Sequence, residues 1–497
     1  MPTQSQHTLT YDTSVTVTAG RPEFYGRAAA LHELHTHTSA IRGSGTGVLV
    51  TLTGRRQVGK SRLITEFALR SRLPCLYYTA RADSAPSRHF QDWARAFGSL
   101  SGALPDAETR SRLDGEPQRG DLAEPLPRDW SDAFAALARA CSSTPCIVVL
   151  DDFEQAVRVE PTLPAIVARS WQRQLRQCPV LFVVVGSAGE LTPHATPMTL
   201  LPLNPAECAH ALGRRPAVAA FDTHLITGGT PRLVAGCAQA GDPYEFVRAQ
   251  LHDENSDLVV MGERLVATEV AESASARTVL AAIGAEPQPL TSFTRIVAQL
   301  PSTGVTAQTA ATRALKLLTQ RQVVAAHTPV GAPANTKLRR YRIDDSSLRF
   351  WHFFVRPHLG DIARGRVDLA VAAFDASWTS WRAAAMHPVV HAALRRLTLT
   401  MPEFTRAADV GAWWNREGRE LDIVLSARRN QPMVAVGAIK WDDGEPFTAD
   451  DQRAVDEARS MLPNAERATS LAICPAGARP GAGVDVVLDA DALLAAW

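Results

Sequence analysis

The chain is 497 residues long, 45% apolar and 21% charged, with a formal net charge of +1. At roughly 150 residues per domain this length accommodates about three domains with cores of their own, and the composition excludes a disordered, collagen-like or small disulfide-stapled chain. The near-neutral balance excludes a basic surface spread over the whole molecule, so any nucleic-acid contact has to be local.

Residues 1–20 are polar and rich in Thr and Ser, and read as a loose arm. Between 21 and 240, short β-branched runs (47–52, 75–79, 146–150 and 180–185) alternate with helical patterns. Such alternation predicts an α/β domain built on a mainly parallel sheet. The stretch 101–127, rich in Pro, Gly and acids, reads as a surface insertion. A helical linker is expected over 241–270. The rhythm of 271–357 is different: helices over 277–283, 292–300 and 306–318, then strands over 322–327 and 341–343, with the Pro/Gly-rich 328–334 as the tip of a wing. That order is the one a winged helix-turn-helix requires. The last region, 358–497, shows a helix near 386–397 and strand-like runs over 420–425 and 433–441. Seven cysteines (Cys75, Cys141, Cys146, Cys178, Cys208, Cys237 and Cys474) have no metal-ligand or redox spacing and read as reduced core thiols of a cytoplasmic protein. The longest apolar run, 180–185, falls far short of the roughly 18 residues of a membrane span, and no export signal is recognisable.

Only four of the 52 basic residues are lysines: Lys60, Lys316, Lys337 and Lys440. A compact ammonium kept in so arginine-rich a chain marks a position to inspect. Lys60 falls in Gly54-Arg55-Arg56-Gln57-Val58-Gly59-Lys60-Ser61, a phosphate-loop pattern after an apolar run and before an amphipathic one. Glycines there let backbone N–H groups close around phosphates at a helix N-terminus, Lys60 would reach the β- and γ-phosphates, and the Ser61 hydroxyl would ligate Mg2+. The run 146–150 ends in Asp151-Asp152. Asp151 would hold Mg2+ through water, and Asp152 would orient or deprotonate the attacking water. Ser187, after the run 180–185, is suited to sensing the γ-phosphate. No Asn-Lys-x-Asp guanine-selecting motif occurs, which favours ATP over GTP.

Phe24-Tyr25-Gly26-Arg27, Gly54-Arg55-Arg56, Asp151-Asp152-Phe153, Gly186-Ser187 and Gly228-Gly229-Thr230-Pro231 together resemble the archaeal-type P-loop ATPases, relatives of the signal-transducing STAND class, over about residues 21–445. The resemblance implies a further strand between the phosphate-loop strand and the Asp151 strand. It also implies that Gly-Gly-x-Pro couples nucleotide state to the helical region that follows. Asp152 and Ala188 stand where the family commonly carries Glu and Ser, a departure that bears on hydrolysis more than on binding.

Between 301 and 350, eight basic residues (Arg313, Lys316, Arg321, Lys337, Arg339, Arg340, Arg342 and Arg349) face only Asp344 and Asp345, a local excess of six. Arg313, Lys316, Lys337, Arg339 and Arg340 are candidate contacts to duplex DNA; intramolecular or protein docking of the same module is the other use of such a surface. The region 358–497 resembles the restriction-endonuclease fold, whose metal-dependent members need an Asp and then Glu-x-Lys on the next strand. Asp422 and Lys440 match, but Ala438 stands at the Glu position, and Glu420, two residues before Asp422, is the remaining candidate ligand. A degenerate nuclease domain is expected. The sequence therefore points to an ATP-binding, Mg2+-dependent switch NTPase acting on or near nucleic acid, with possible homo-oligomerisation and Arg232 as a candidate arginine finger. A DNA-binding regulator with negligible hydrolysis and an active Mg2+-dependent nuclease are the alternatives.

Overall fold

The strand order β2-β3-β4-β1-β5, all parallel, organises the first part of the chain: β1 Val48–Thr53, β2 Cys75–Thr79, β3 Cys146–Asp151, β4 Val180–Val185 and β5 Thr196–Thr199. This computed structural model describes residues 24–81, 92–93, 96, 129–186, 191, 193–270, 273–333, 336–427, 432–442 and 444–497. The chain divides into two compact units, 1–202 and 203–497. The expected insertion at 101–127 and Ser187 lie outside the described residues.

In the first unit β3 and β4 are buried along their whole length, as continuous Val/Ile/Leu runs covered on both faces should be. Their side chains alternate between two cores. Val148, Leu150, Phe182 and Val184 meet Trp93, Phe134 and Trp171 on one face; Ile147, Val149, Leu181 and Val183 meet Leu34, Ile64 and Phe67 on the other. Helices α1 (Ala28–Ser44), α2 (Lys60–Ser71), α3 (Trp130–Ala140) and α5 (Leu163–Arg173) supply these partners apart from Trp93, and α4 (Phe153–Val159) adds Phe153 and Ala156. β4 lies between β1 and β3, the place where the resemblance implies an extra strand. β5 went unrecognised in the sequence because Pro197 interrupts it; at a sheet edge the missing N–H is tolerated.

The second unit begins with α6 (Pro205–Leu212), α7 (Ala217–Thr227), α8 (Pro231–Ala240), α9 (Pro243–Leu251) and α10 (Asp257–Val270). α11 (Ala274–Gly284), α12 (Phe293–Ala298) and α13 (Gly304–Gln320) follow, with the antiparallel sheet β6-β8-β7 (β6 Thr291–Ser292, β7 Val324–His327, β8 Arg340–Ile343). α14 (Ser346–Phe350) leads to α15 (Val367–Leu397), 31 residues long. α15 begins about twenty residues before its sequence-predicted start. Its buried residues, from Phe374 and Trp378 through Arg382 to Val389 and Leu394, lie on several sides of the helix, so no single-faced apolar period announces it, and Pro388 sits in its interior. The terminal sheet β13-β12-β11-β10-β9 comprises β9 Asp409–Trp414, β10 Glu420–Ser426, β11 Met433–Ile439, β12 Thr469–Ile473 and β13 Val486–Leu488, flanked by α16 (Ala449–Arg459) and α17 (Ala490–Leu494).

The main core of this unit draws on residues from Leu212 to Leu493. The expected linker contributes Phe246, Val247, Leu251 and Leu258 to that core. Phe350 and Phe354 pack edge-on against Trp381, so the aromatic residues near 350 belong to the core. All seven cysteines are free thiols. Among the described residues no helix is long and apolar enough to cross a membrane.

Candidate functional site

β1 ends in a turn that only particular backbones can follow. Gly54, Gln57 and Gly59 all have positive φ (146°, 64° and 91°), and α2 starts immediately at Lys60. The Lys60 ammonium folds back over its own loop and donates to the carbonyl oxygens of Gly54 (2.9 Å) and Arg55 (3.1 Å). Burial pushes the Lys60 pKa down, while the fields of Glu154, Asp151 and Asp152 push it back up. Arg27, itself buried at 7% exposure, donates to the Val58 carbonyl at 2.8 Å and to the Leu201 carbonyl, tying the loop from behind.

Asp151 is the last residue of β3 and is 3% exposed. Its Oδ2 accepts from the Tyr77 hydroxyl at 2.7 Å and its Oδ1 from the Asp152 amide at 2.9 Å. The Tyr77 hydroxyl also approaches the Ser61 carbonyl at 3.5 Å, which brings β2, β3 and α2 to one point. Asp152 is left-handed (φ 51°) and lies at the surface, and partial desolvation of its carboxyl, then the charges of Asp151 and Glu154, raise it above the usual carboxylate range. Glu154 is the group that sequence reasoning missed: a Glu three residues past the strand-end Asp was the available sign. The donor set suits Mg2+, a hard cation that keeps several waters. With both Asp151 oxygens already accepting hydrogen bonds, attachment through water fits better than direct ligation.

Against known proteins, residues 23–184 match the family model described as an AAA ATPase domain, and residues 351–455 match one described as archaea bacterial proteins of unknown function. This chain carries an AAA ATPase domain. Solved structures with a similar trace include a Walker-type ATPase of Pyrococcus abyssi (16% identity, TM-score 0.43, covering 66% of this chain and 96% of that one). The ORC2 protein of Aeropyrum pernix in ADPNP and ADP complexes is another (16% identity, TM-score 0.40, 72% and 96%), as is the ORC1 protein of the same organism in complex with DNA (15%, 0.33, 69% and 95%). A search of curated proteins returns no match.

Beyond the ATPase domain, seven of the eight basic residues counted between 301 and 350 separate into two groups, while the eighth, Arg321, donates to the Glu269 carbonyl. Arg313 and Lys316 are exposed on α13, which carries no acidic residue, and Lys337 and Arg339 are exposed before β8. Arg340, Arg342 and Arg349 turn inward. Arg349 is 6% exposed and donates to the carbonyls of Pro287 and Gln288, and Arg342 pairs with Asp344 at 3.1 Å. Arg340 corrects the sequence reading: it pairs with Glu420 at 2.6 Å and is not an open phosphate contact. Its local excess of charge is offset within the fold. The segment expected as a wing tip is covered as well, since Val330 donates to the Ala412 carbonyl at 3.0 Å and lies in a core with Leu421 and Val424. Arg232, the candidate finger, pairs with Asp257.

Glu420, Asp422 and Lys440 line one cavity of about 580 Å3. Each is held by a neighbour. Lys440 pairs with Asp451 at 2.9 Å, and Asp422 Oδ2 accepts the Ile439 amide at 3.0 Å while His387 stands 3.9 Å from Oδ1. The hydrogen bond from Lys440 and those from Thr448 outweigh burial and hold Asp451 below the usual carboxylate range. Glu420, expected as a substitute ligand, faces Arg340 instead, and among the described residues no group of three or more His, Cys, Asp or Glu is arranged to hold a metal ion.

Gly228 and Gly229, φ 58° and 70°, form the turn between α7 and α8. A Cβ on Gly228 would press on the backbone of Ser347 at the start of α14, and one on Gly229 would collide with the Leu203 carbonyl. This turn thus touches the segment that joins β8 to the aromatic core.

Proposed function

We propose that this chain is a Mg2+-dependent switch ATPase, related to the STAND class, whose nucleotide state sets the availability of a winged-helix module for duplex DNA. The convergence of Lys60, the α2 N-terminus and Asp151 at the carboxyl edge of one parallel sheet carries the reading, because ligands of such sheets bind at that edge. In it, the backbone of Gly54 to Gly59 cradles the phosphates, Lys60 neutralises them, and Ser61 and Asp151 hold Mg2+, which would offset charge on the phosphate oxygens. Ser187 senses the γ-phosphate. The DNA half is supported by α13, with Arg313 and Lys316 exposed and no acidic side chain. The nuclease-like cavity serves as a binding or docking element, since its lysine and both candidate carboxylates are engaged within the fold.

The test compares duplex-DNA affinity of the full chain in a non-hydrolysable ATP analogue and in ADP, each with Mg2+. A difference of about fivefold or more between the two states is expected, and Lys60→Ala should erase it. Equal affinities in both states, with wild-type nucleotide binding intact, would leave an ATPase without the switch. Tight MgATP binding by Lys60→Ala would overturn the site itself.

A further inference from the structure

A second carboxylate follows β3 besides Asp152, that of Glu154. Glu154 sits in the first turn of α4, directly after β3. Its side chain reaches across to Gly186 at the end of β4, where a Cβ would collide with it. Gly186 in turn donates its amide to Leu52 on the phosphate-loop strand at 3.0 Å. The Glu154 carboxylate therefore stands over the strand that separates Asp151 from the phosphate loop. Its Oε2 is buried and has no hydrogen-bond partner among the described residues. An unpartnered buried carboxylate oxygen is destabilising, a cost that persists where something else fills the site in use.

Two contrasts sharpen this. Of the three carboxylates acting on Lys60, Glu154 exerts the largest field, ahead of Asp151 and Asp152. Asp152 is exposed, sits in the left-handed region, and has its amide tied to Asp151. A Glu at the position of Asp152 would reach further; this chain obtains the reach two residues later, from a helix turn.

We infer that Glu154 is the water-positioning carboxylate of ATP hydrolysis, and that Asp152 is dispensable for it. The water oxygen bonds to the γ-phosphorus, and the bond from that phosphorus to the β–γ bridging oxygen breaks with its electron pair left on ADP. The proton lost by the water passes to the Glu154 carboxylate and from there to solvent. Gly186 is required because any side chain there would occupy the space that the carboxylate fills.

This inference rests on the ATPase reading and is independent of the DNA switch, which is measured in a non-hydrolysable analogue. Full-length Glu154→Gln and Asp152→Asn are compared with wild type for kcat, KM, MgATP affinity by titration calorimetry, melting temperature and the nucleotide bound after mixing with ATP. Glu154→Gln should lose about 100-fold or more in kcat, bind MgATP within about threefold of wild type, and retain ATP where wild type retains ADP. Asp152→Asn should keep kcat within about fivefold. Wild-type turnover by Glu154→Gln, equal losses of MgATP binding and turnover, or a collapse of turnover in Asp152→Asn alone would overturn the assignment. Should Glu154→Gln fail to fold, Glu154→Asp, which keeps the charge and withdraws it by one methylene, must fold and turn over slowly; a wild-type rate there overturns it equally.

Discussion

The Arg340 guanidinium lies over the Trp414 ring, 4.8 Å from its centroid, while its other edge pairs with Glu420. One arginine of β8 thereby joins the sheet beside α13 to β9 and β10 of the terminal sheet. Arg340→Ala should lower the stability of this unit by about 1 kcal/mol, mostly through the lost cation–π contact, since Glu420 is half exposed. Urea unfolding followed by tryptophan fluorescence reads this. Arg313→Ala with Lys316→Ala should leave stability unchanged and reduce the salt slope of duplex-DNA binding by about 2. If Arg340→Ala reduced that slope as strongly without loss of stability, the clasp would not be its role.

Asp222, Arg382 and Tyr244 form a buried charge network between α7, α15 and α9: Arg382 to Asp222 at 3.4 Å, and the Tyr244 hydroxyl to Asp222 at 2.8 Å. Both charges are at most 3% exposed. Removing one partner strands the other in the core, so Arg382→Met should cost about 3–5 kcal/mol, and the double variant Asp222→Leu with Arg382→Met should recover much of it. Denaturant midpoints of the two single variants and the double variant check this.

Buried histidines should make the second unit acid-labile. Burial, then Arg342, lowers His327 to about 4; burial, then Arg356, lowers His352 to about 3; and burial lowers His391 to about 3 despite its hydrogen bond to the Asp422 carbonyl. In the unfolded chain these rings take a proton near their ordinary 6.5, while the folded unit refuses it until about 3–4. Stability is therefore fully present above about pH 6.5 and falls as the pH drops through the window toward 4. Melting temperature measured from pH 7.5 to 4.5 should show a steep decline below 6.5. His352→Leu should flatten it and cost nothing at neutral pH, because neither ring nitrogen of His352 has a partner among the described residues.

Gly229→Ala should destabilise the second unit by about 2 kcal/mol or more, through both the positive φ and the collision with the Leu203 carbonyl. Gly477, whose φ is 74° but whose Cβ would meet open space, is the control: Gly477→Ala should cost about 1 kcal/mol. Thermal shift of the two variants separates close packing from backbone strain.

Supercoiled plasmid should remain intact on incubation with wild type and Mg2+, and Asp422→Ala should behave identically. Ala438 supplies no carboxylate, and Lys440 is held by Asp451. Nicking by wild type that Asp422→Ala abolishes would overturn this expectation.

The parallel sheet of the ATPase domain was legible because its strands are buried on both faces and read as uninterrupted apolar runs, and the phosphate loop because its chemistry is local, eight consecutive residues with glycines at fixed spacing. Local patterns carried less elsewhere. β5 hid behind Pro197, and the first twenty residues of α15 lacked a one-faced period because the helix is buried on several sides. The charges were the least legible of all. Arg313 and Arg340 are the same residue type in the same basic stretch, yet one is exposed on α13 and the other is clasped by Trp414 and Glu420, more than 70 positions away. Residue types at short spacing determined that this chain has a nucleotide-binding loop and where it lies. Tertiary structure alone decided which carboxylate stands over β4, which arginines remain open, and that Lys440 is answered by Asp451, because electrostatic partners act through space and their separation along the chain does not limit them.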